Sequence, residues 1–160
     1  MSEVEFRYMD DGDTENVNTL RQQVTKLHME LCSDFFRADT WINIKDNIRN
    51  ILNEKDKKII IEVLDGIVIG YALIKFMVRP MPLYEKETRF LFIEEIGIGS
   101  NYRGNGYGTI LMDFLIEEAR RKGCCKFELG VWNYNTNAIR FYKKYGFKPY
   151  RTMMEYFISA

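Results

Sequence analysis

Tyr102-Arg103-Gly104-Asn105-Gly106-Tyr107-Gly108-Thr109 follows an apolar, strand-like run and opens an amphipathic, helix-like one. Glycine at 104, 106 and 108 lets main-chain N–H groups turn toward one point without side-chain obstruction. The helix that follows adds the positive end of its dipole, so the run has the makings of a pyrophosphate cradle. Spacing decides which kind. The dinucleotide fingerprint G-x-G-x-x-G needs glycine where Thr109 stands, and no G-K-[ST] is present for a P-loop. Both common nucleotide motifs fail.

The same run resembles the R-x-x-G-x-G signature with which the GCN5-related N-acetyltransferases hold the pyrophosphate of acetyl-CoA; Arg103, Gly106 and Gly108 carry the match. Downstream, Asn135-Thr136-Asn137-Ala138-Ile139-Arg140-Phe141-Tyr142-Lys143-Lys144-Tyr145-Gly146-Phe147 is similar to the family's N-x-x-A-x-x-x-Y-x-x-x-G-[FY]. Upstream, Leu91-Phe92-Ile93-Glu94-Glu95-Ile96-Gly97-Ile98 resembles its central strand. The close resemblance covers roughly the last 70 residues, and the first half agrees in layout. It implies one N-acetyltransferase domain over residues 1–160, with acetyl-CoA as cosubstrate and no metal. The implied fold is α/β, a mixed β-sheet flanked by helices on both faces in the order β-α-α-β-β-β-α-β-α-β, with two splayed parallel central strands.

Size and charge agree with that outline. A chain of 160 residues with 46% hydrophobic content supports one well-buried core. Lys and Arg number 23 and Asp and Glu 23, so no net field draws in a polyanion and nucleic acid is not an expected partner. The acidic start Met1-Ser2-Glu3-Val4-Glu5 lacks an apolar signal core, and the apolar stretch from Ile67 to Val78 is broken by Lys75. No membrane partner is expected, and the expected location is cytoplasmic. Cys32, Cys124 and Cys125 are odd in number and lack C-x-x-C spacing, which predicts thiols acting as small core residues.

Val4 to Met9 alternates as a strand, and Asp13 is placed to cap a helix carrying Val17, Leu20, Val24, Leu27 and Leu31. Trp41, Ile44, Ile48 and Ile51 mark a second helix. Lys58 to Leu64 and Ile67 to Val78 read as antiparallel strands about the tight turn Asp65-Gly66. A loop through Arg79-Pro80-Met81-Pro82 leads to the strand Thr88 to Ile98. The post-glycine helix ends at Gly123, and Cys125 to Val131 then runs parallel to Thr88–Ile98, as a helical crossover requires. A final helix spans Asn135 to Tyr145, and Lys148 to Ile158 is a closing strand. Its Thr152–Ile158 edge offers a route to a homodimer.

Acetyl transfer from a thioester to an amine needs a base for the amine, a donor for the developing oxyanion and an acid for the departing thiolate. By resemblance, Tyr142 is the general acid; a phenol of pKa about 10 can protonate a thiolate of conjugate pKa about 8.5. Glu94 and Glu95 interrupt an apolar strand, and either could serve as base; resemblance favours Glu94, and Gly97 would suit a bulge that disturbs the alternation. The family also implies the Ile98 N–H as oxyanion donor and backbone pairing of Ile96, Gly97 and Ile98 with the pantetheine arm. The cofactor-binding set is completed by Arg103, Gly104, Asn105, Gly106, Tyr107, Gly108, Thr109 and Asn135, the last also an ordinary helix N-cap. Ser100 stands where many relatives carry proline. His28 reads as a packed or surface histidine, and Phe35, Phe36 and Trp41 with Asp34 and Asp39 as either a wall for a cationic amine or part of the core.

The resulting expectation is transfer of an acetyl group to a primary amine by direct attack in a ternary complex. The acceptor is a small cationic amine or a peptide or protein amine. The alternative is a non-catalytic acyl-CoA-binding sensor or interaction module; a dinucleotide oxidoreductase is disfavoured by Thr109 and by the lack of a leading βαβ unit.

Overall fold

Asp65 and Gly66 adopt φ of 48° and 82°, the consecutive left-handed pair that a type I′ turn requires. In the computed structural model, which describes residues 3–32, 40–80, 83, 84 and 86–159, this turn joins β2 (Lys57–Leu64) to β3 (Ile67–Arg79). β1 (Val4–Tyr8) pairs antiparallel with β2, and β4 (Thr88–Ile98) antiparallel with β3. β5 (Lys126–Leu129) lies parallel to β4, giving the sheet order β1-β2-β3-β4-β5. The helices are α1 (Thr14–Leu31), α2 (Thr40–Asn53), α3 (Tyr107–Arg121) and α4 (Thr136–Tyr145). Two compact units result: Met1–Gly130 holds the sheet with α1 to α3, and Val131–Ala160 holds α4. Phe35, Phe36, Asp34, Asp39, Met81, Pro82 and the side chain of Trp41 lie outside the described residues.

Alternation along the strands divides the core between the two faces of the sheet. Ile59, Ile61, Val63, Tyr71 and Leu73 pack with Val17 and Leu20 of α1 and Ile48 and Ile51 of α2. Ile60, Ala72 and Ile74 point the other way, toward the side of buried Leu111, Met112 and Leu115 on α3. There Phe114 stacks on Phe6 of β1, ring centroids 4.6 Å apart. The mixed sheet with helices on both faces is thus as expected.

Four local expectations need correction. Residues 147–159 form no strand, so the expected closing element Lys148–Ile158 is not among the strands of the described residues. Strand propensity reports fit to a half-buried pleat, and here Met153, Met154, Tyr156, Phe157 and Ile158 are 81–91% exposed. β5 is shorter than Cys125–Val131, ending at Leu129 before Gly130. Asp13 sits at the N-cap of α1, but its carboxylate accepts from Arg7 at 2.6 and 2.8 Å and from the Asp10 N–H at 2.9 Å rather than from the helix. None of the three cysteines is fully buried, Cys125 being exposed, so they are free thiols outside the core.

Glu62 of β2 is fully buried, and neither carboxylate oxygen has a hydrogen-bond partner among the described residues. Gly70 on the neighbouring strand makes room for it: a Cβ there would lie 2.8 Å from Glu62 Oε2 and 2.8 Å from Cδ1 of Ile98. Burial pushes the Glu62 carboxyl up from 4.5 to about 7. A native-state pKa above the unfolded one means the native state favours the protonated form. The group's contribution to stability is therefore complete below about pH 4.5 and is lost as pH rises through about 7. Glu62→Gln should gain stability relative to the parent by about 3 kcal/mol between pH 4.5 and 8. Denaturant titrations across that range check this; a difference independent of pH would contradict it.

Candidate active site

β4 holds its register with β3 from Arg79↔Thr88 to Ile74↔Ile93 and resumes at Leu73↔Glu95, so Glu94 is the extra residue of a β-bulge. The sequence pointed to Gly97 for this irregularity, and the structure places it at Glu94. Gly97 meets a different need: a Cβ there would lie 2.5 Å from Cγ2 of Val24 and 3.1 Å from Cε1 of Tyr71, so glycine lets α1 press onto the strand. The extra residue lets consecutive glutamates reach partners on the α1/α2 side. Glu94 Oε2 is 3.1 Å from Lys57 Nζ, which also lies 3.1 Å from Glu54. Glu95 accepts from Arg21 Nε and Nη2 at 2.8 Å each and from the Tyr71 hydroxyl at 3.2 Å.

These pairs set the local electrostatics. Burial alone would lower the Arg21 pKa, but the hydrogen bond and charge of Glu95 outweigh it and the net shift is upward. Lys57 follows the same pattern, with Glu94 and Glu54 overcoming desolvation. Tyr71 is raised well above the usual phenol range, by burial first and then by the Glu95 charge. His28 is lowered by burial, against the pull of Glu95.

The parallel ladder between β4 and β5 runs only from Phe90↔Lys126 to Ile93↔Leu129. Beyond Ile93, just where the bulge begins, the β5-facing edge of β4 has no partner strand among the described residues. The Gly99 N–H donates to the Ile69 carbonyl at 2.7 Å. Alternation then turns the peptide groups of Ile96 and Ile98 away from β3, into the opening. The Ile98 carbonyl accepts from Arg103 Nε at 2.9 Å, which folds the loop back on the strand end.

In that loop Gly104 and Gly106 have φ of 79° and 87°, and a Cβ at either would meet nothing within 4 Å. Glycine is required there by backbone conformation, not by crowding. The Asn105 amide donates to the carbonyls of Tyr102 and Arg103, each at 3.2 Å, and Tyr102 and Tyr107 meet edge to face at 6.3 Å. Gly106, left-handed, is the N-cap of α3 and offers no side-chain acceptor to the first turn. The Thr109 N–H donates to the Gly106 carbonyl at 3.0 Å, so its main chain is engaged within the helix. The N–H groups of Gly104, Asn105, Gly106, Tyr107 and Gly108 have no acceptor among the described residues. Five unmatched donors at a helix N-terminus fit a diphosphate. Ser100, in place of the family's proline, donates its N–H to Gln23 Oε1 of α1 at 2.9 Å, a bond that proline has no hydrogen to make.

In the second unit, Asn135 is the N-cap of α4; its side chain accepts from the Ala138 N–H at 3.3 Å. Tyr142 lies in an aromatic cluster with Phe141 and Phe147, at 5.5 and 5.6 Å between centroids. Burial pushes its phenol up to about 12, so it keeps its proton throughout the neutral range.

Sequence reasoning did not single out Lys57, Arg21, Tyr71 or Gln23. Arg21 left a trace, an arginine beside Leu20 on the apolar stripe of α1, the sign of a buried cation with a counter-charge. Lys57 and Gln23 left none, because their partners are distant in sequence. Among the described residues no group of His, Cys, Asp and Glu is arranged to hold a metal ion, and no helix is long and apolar enough to cross a membrane.

The thialysine N-epsilon-acetyltransferase of Mus musculus is 36% identical over 82 residues, 51% of this chain and 45% of that protein. The streptothricin acetyltransferase of Streptomyces lavendulae is 32% identical over 83 residues, 52% of this chain and 40% of that protein. The chain spans about half the length of these curated relatives. Among solved structures, a tetramutant of the BH1408 protein from Bacillus halodurans superposes with a TM-score of 0.89 at 20% identity, over 96% of this chain and 99% of that one. The aminoglycoside N-acetyltransferase AAC(6')-Iy in complex with CoA gives 0.74 at 19% identity, over 100% and 97%. Likeness at that identity is one of fold. The profile of the acetyltransferase (GNAT) family matches residues 21–147, most of the chain's length, and the chain belongs to that family.

Proposed function

We propose that residues 1–160 act as one N-acetyltransferase domain that uses acetyl-CoA to acetylate a primary amine by direct attack in a ternary complex. The observation that carries this reading is the pairing of five unmatched amides from Gly104 to Gly108 with an unpaired β4 edge at Ile96 and Ile98. One element suits a diphosphate and the other an extended, amide-bearing arm. Bound acetyl-CoA supplies the thioester electrophile. Relatives and fold neighbours named for thialysine, streptothricin and aminoglycosides support a small cationic amine as acceptor, and a peptide amine is the other acceptor class.

The chain's own groups divide the work. The Ile98 N–H, turned out of the sheet, donates to the acyl oxygen as negative charge gathers there. Glu94 is the carboxylate that takes the amine proton: Glu95 is committed to Arg21 and Tyr71, whereas Glu94 meets the single cation Lys57. Tyr142 keeps its proton at Oη at neutral pH, its pKa pushed up by burial to about 12, so it is not a base there. The family resemblance assigns it as the donor to the departing sulfur, and burial makes it a weaker acid than a free phenol.

Release of free CoA thiol on mixing the protein with acetyl-CoA and polyamines, aminoglycosides, amino acids or peptides tests the reading; amine-dependent release with at least one class is expected. Saturable binding with no release on any amine would instead favour the acyl-CoA sensor. Two substitutions then separate the roles. Tyr142→Phe should lower kcat with little change in acetyl-CoA affinity, and Glu94→Gln should lower kcat/KM about a hundredfold or more. Glu95→Gln should act mainly on the melting temperature, since it leaves buried Arg21 without its counter-charge, at a cost of about 3 kcal/mol. Steady-state kinetics and thermal melts of the three variants read this out; unchanged turnover in Tyr142→Phe or Glu94→Gln removes that residue from its role.

A further inference from the structure

β1 is the terminal strand of the sheet, and no strand pairs with its outer edge among the described residues. Which of its peptide groups face outward follows from the ladder on the inner side. The Met9 N–H donates to the Ile59 carbonyl at 2.9 Å, and the Asp65 N–H to the Glu3 carbonyl at 3.3 Å. Glu3, Glu5, Arg7 and Met9 therefore turn their peptide groups inward, and Val4, Phe6 and Tyr8 turn theirs outward. Outward groups at alternate residues of a regular strand are a template for one more antiparallel strand.

The sequence of β1, Val4-Glu5-Phe6-Arg7-Tyr8, is complementary to itself read backwards. Placing a two-fold axis at Phe6 sets Val4 opposite Tyr8 and Glu5 opposite Arg7, with Phe6 facing its own copy. All the hydrogen-bonding positions then fall on Val4, Phe6 and Tyr8, the residues whose groups point outward, giving about six main-chain bonds. The Tyr8 carbonyl already accepts from Arg7 Nη1 at 3.3 Å and keeps a second lone pair. Shifting the axis by one residue, to Glu5 or Arg7, still uses outward groups but makes fewer bonds within the strand and sets like charges face to face, Glu5 against Glu5 or Arg7 against Arg7. Shifting it by two, to Val4 or Tyr8, keeps the parity but shortens the overlap. The Phe6-centred register is the one that satisfies backbone and charge together.

The side chains agree. Glu5 and Arg7 are exposed and lie on the face opposite Phe6. Arg7 is ordered in advance by its two bonds to Asp13, which reduces the entropy lost on pairing. On the other face, an open cleft of about 660 Å³ lies between β1 and α3, floored by Phe6, Ile60 and Phe114 and rimmed by Tyr8, Glu117 and Arg121. A strand added at the β1 edge would border that apolar floor.

We infer that β1 is a self-recognition edge: two copies of this chain join β1 to β1 antiparallel about Phe6, making one continuous sheet with Glu5–Arg7 pairs across the seam.

Sedimentation velocity over a concentration series, on the full chain, tests the inference. The parent protein should show a reversible monomer–dimer equilibrium. Glu5→Lys, which places like charges opposite Arg7 twice, should raise the dissociation constant at least about tenfold. Val4→Pro removes an outward N–H without touching the β1–β2 ladder and should weaken the dimer likewise. Far-UV circular dichroism identical to the parent's establishes that each variant is folded, and either folded variant suffices for the comparison. A parent that stays monomeric at every concentration overturns the proposal, and so does a dimer that survives in a folded variant with unchanged affinity.

Discussion

The constraint on which the site depends is that the peptide groups of an interior strand are matched on both edges, and β4 has such partners for only part of its length. Up to Ile93 it is bonded to β3 on one side and β5 on the other. Past Ile93 it keeps β3 and loses β5. The change coincides with the bulge at Glu94, and a bulge bends and over-twists the strand that carries it. One extra residue therefore accounts for two features: it opens the parallel pair, and it brings consecutive carboxylates to one face. An unmatched N–H away from water costs about 1–3 kcal/mol, so the opening at Ile96 and Ile98 favours an occupant that accepts hydrogen bonds.

The glycine loop extends the same logic around the corner of the chain. Gly104 and Gly106 hold left-handed conformations that other residues adopt at a cost. Arg103 ties the loop to the Ile98 carbonyl, and Gln23 ties Ser100 to α1. The strand end and the amide cradle are thus fixed to each other by specific bonds. On the α1 side of β4, Arg21, Glu95 and Tyr71 form a closed hydrogen-bonded group, while Glu94 pairs with Lys57.

What could be read from the sequence was whatever depends on neighbours in the chain. The Asp65-Gly66 turn, the cap at Asn135, the glycine conformations and the helix that follows them are local, and residue type decides them. The parallel pairing of β4 with β5 followed from the crossover helix. What stayed hidden depends on register and distant partners. Gly97 looked like a bulge residue, but its role is to admit Val24 and Tyr71, contacts that no local pattern encodes. The charge partners Lys57 for Glu94 and Arg21 for Glu95 join residues far apart in sequence. The expected closing strand failed for the converse reason: Met153, Met154, Tyr156, Phe157 and Ile158 have strand-like side chains, and propensity without a paired edge forms no ladder.

The most direct test of the central claim is an amide proton–nitrogen spectrum of the folded chain recorded while CoA is added. The account predicts that the largest shifts fall on Gly104, Asn105, Gly106, Tyr107 and Gly108, together with Ile96 and Ile98, while Thr109, whose N–H is already bonded to Gly106, moves less. Saturable binding that leaves those seven amides in place, or no binding at all, would contradict it.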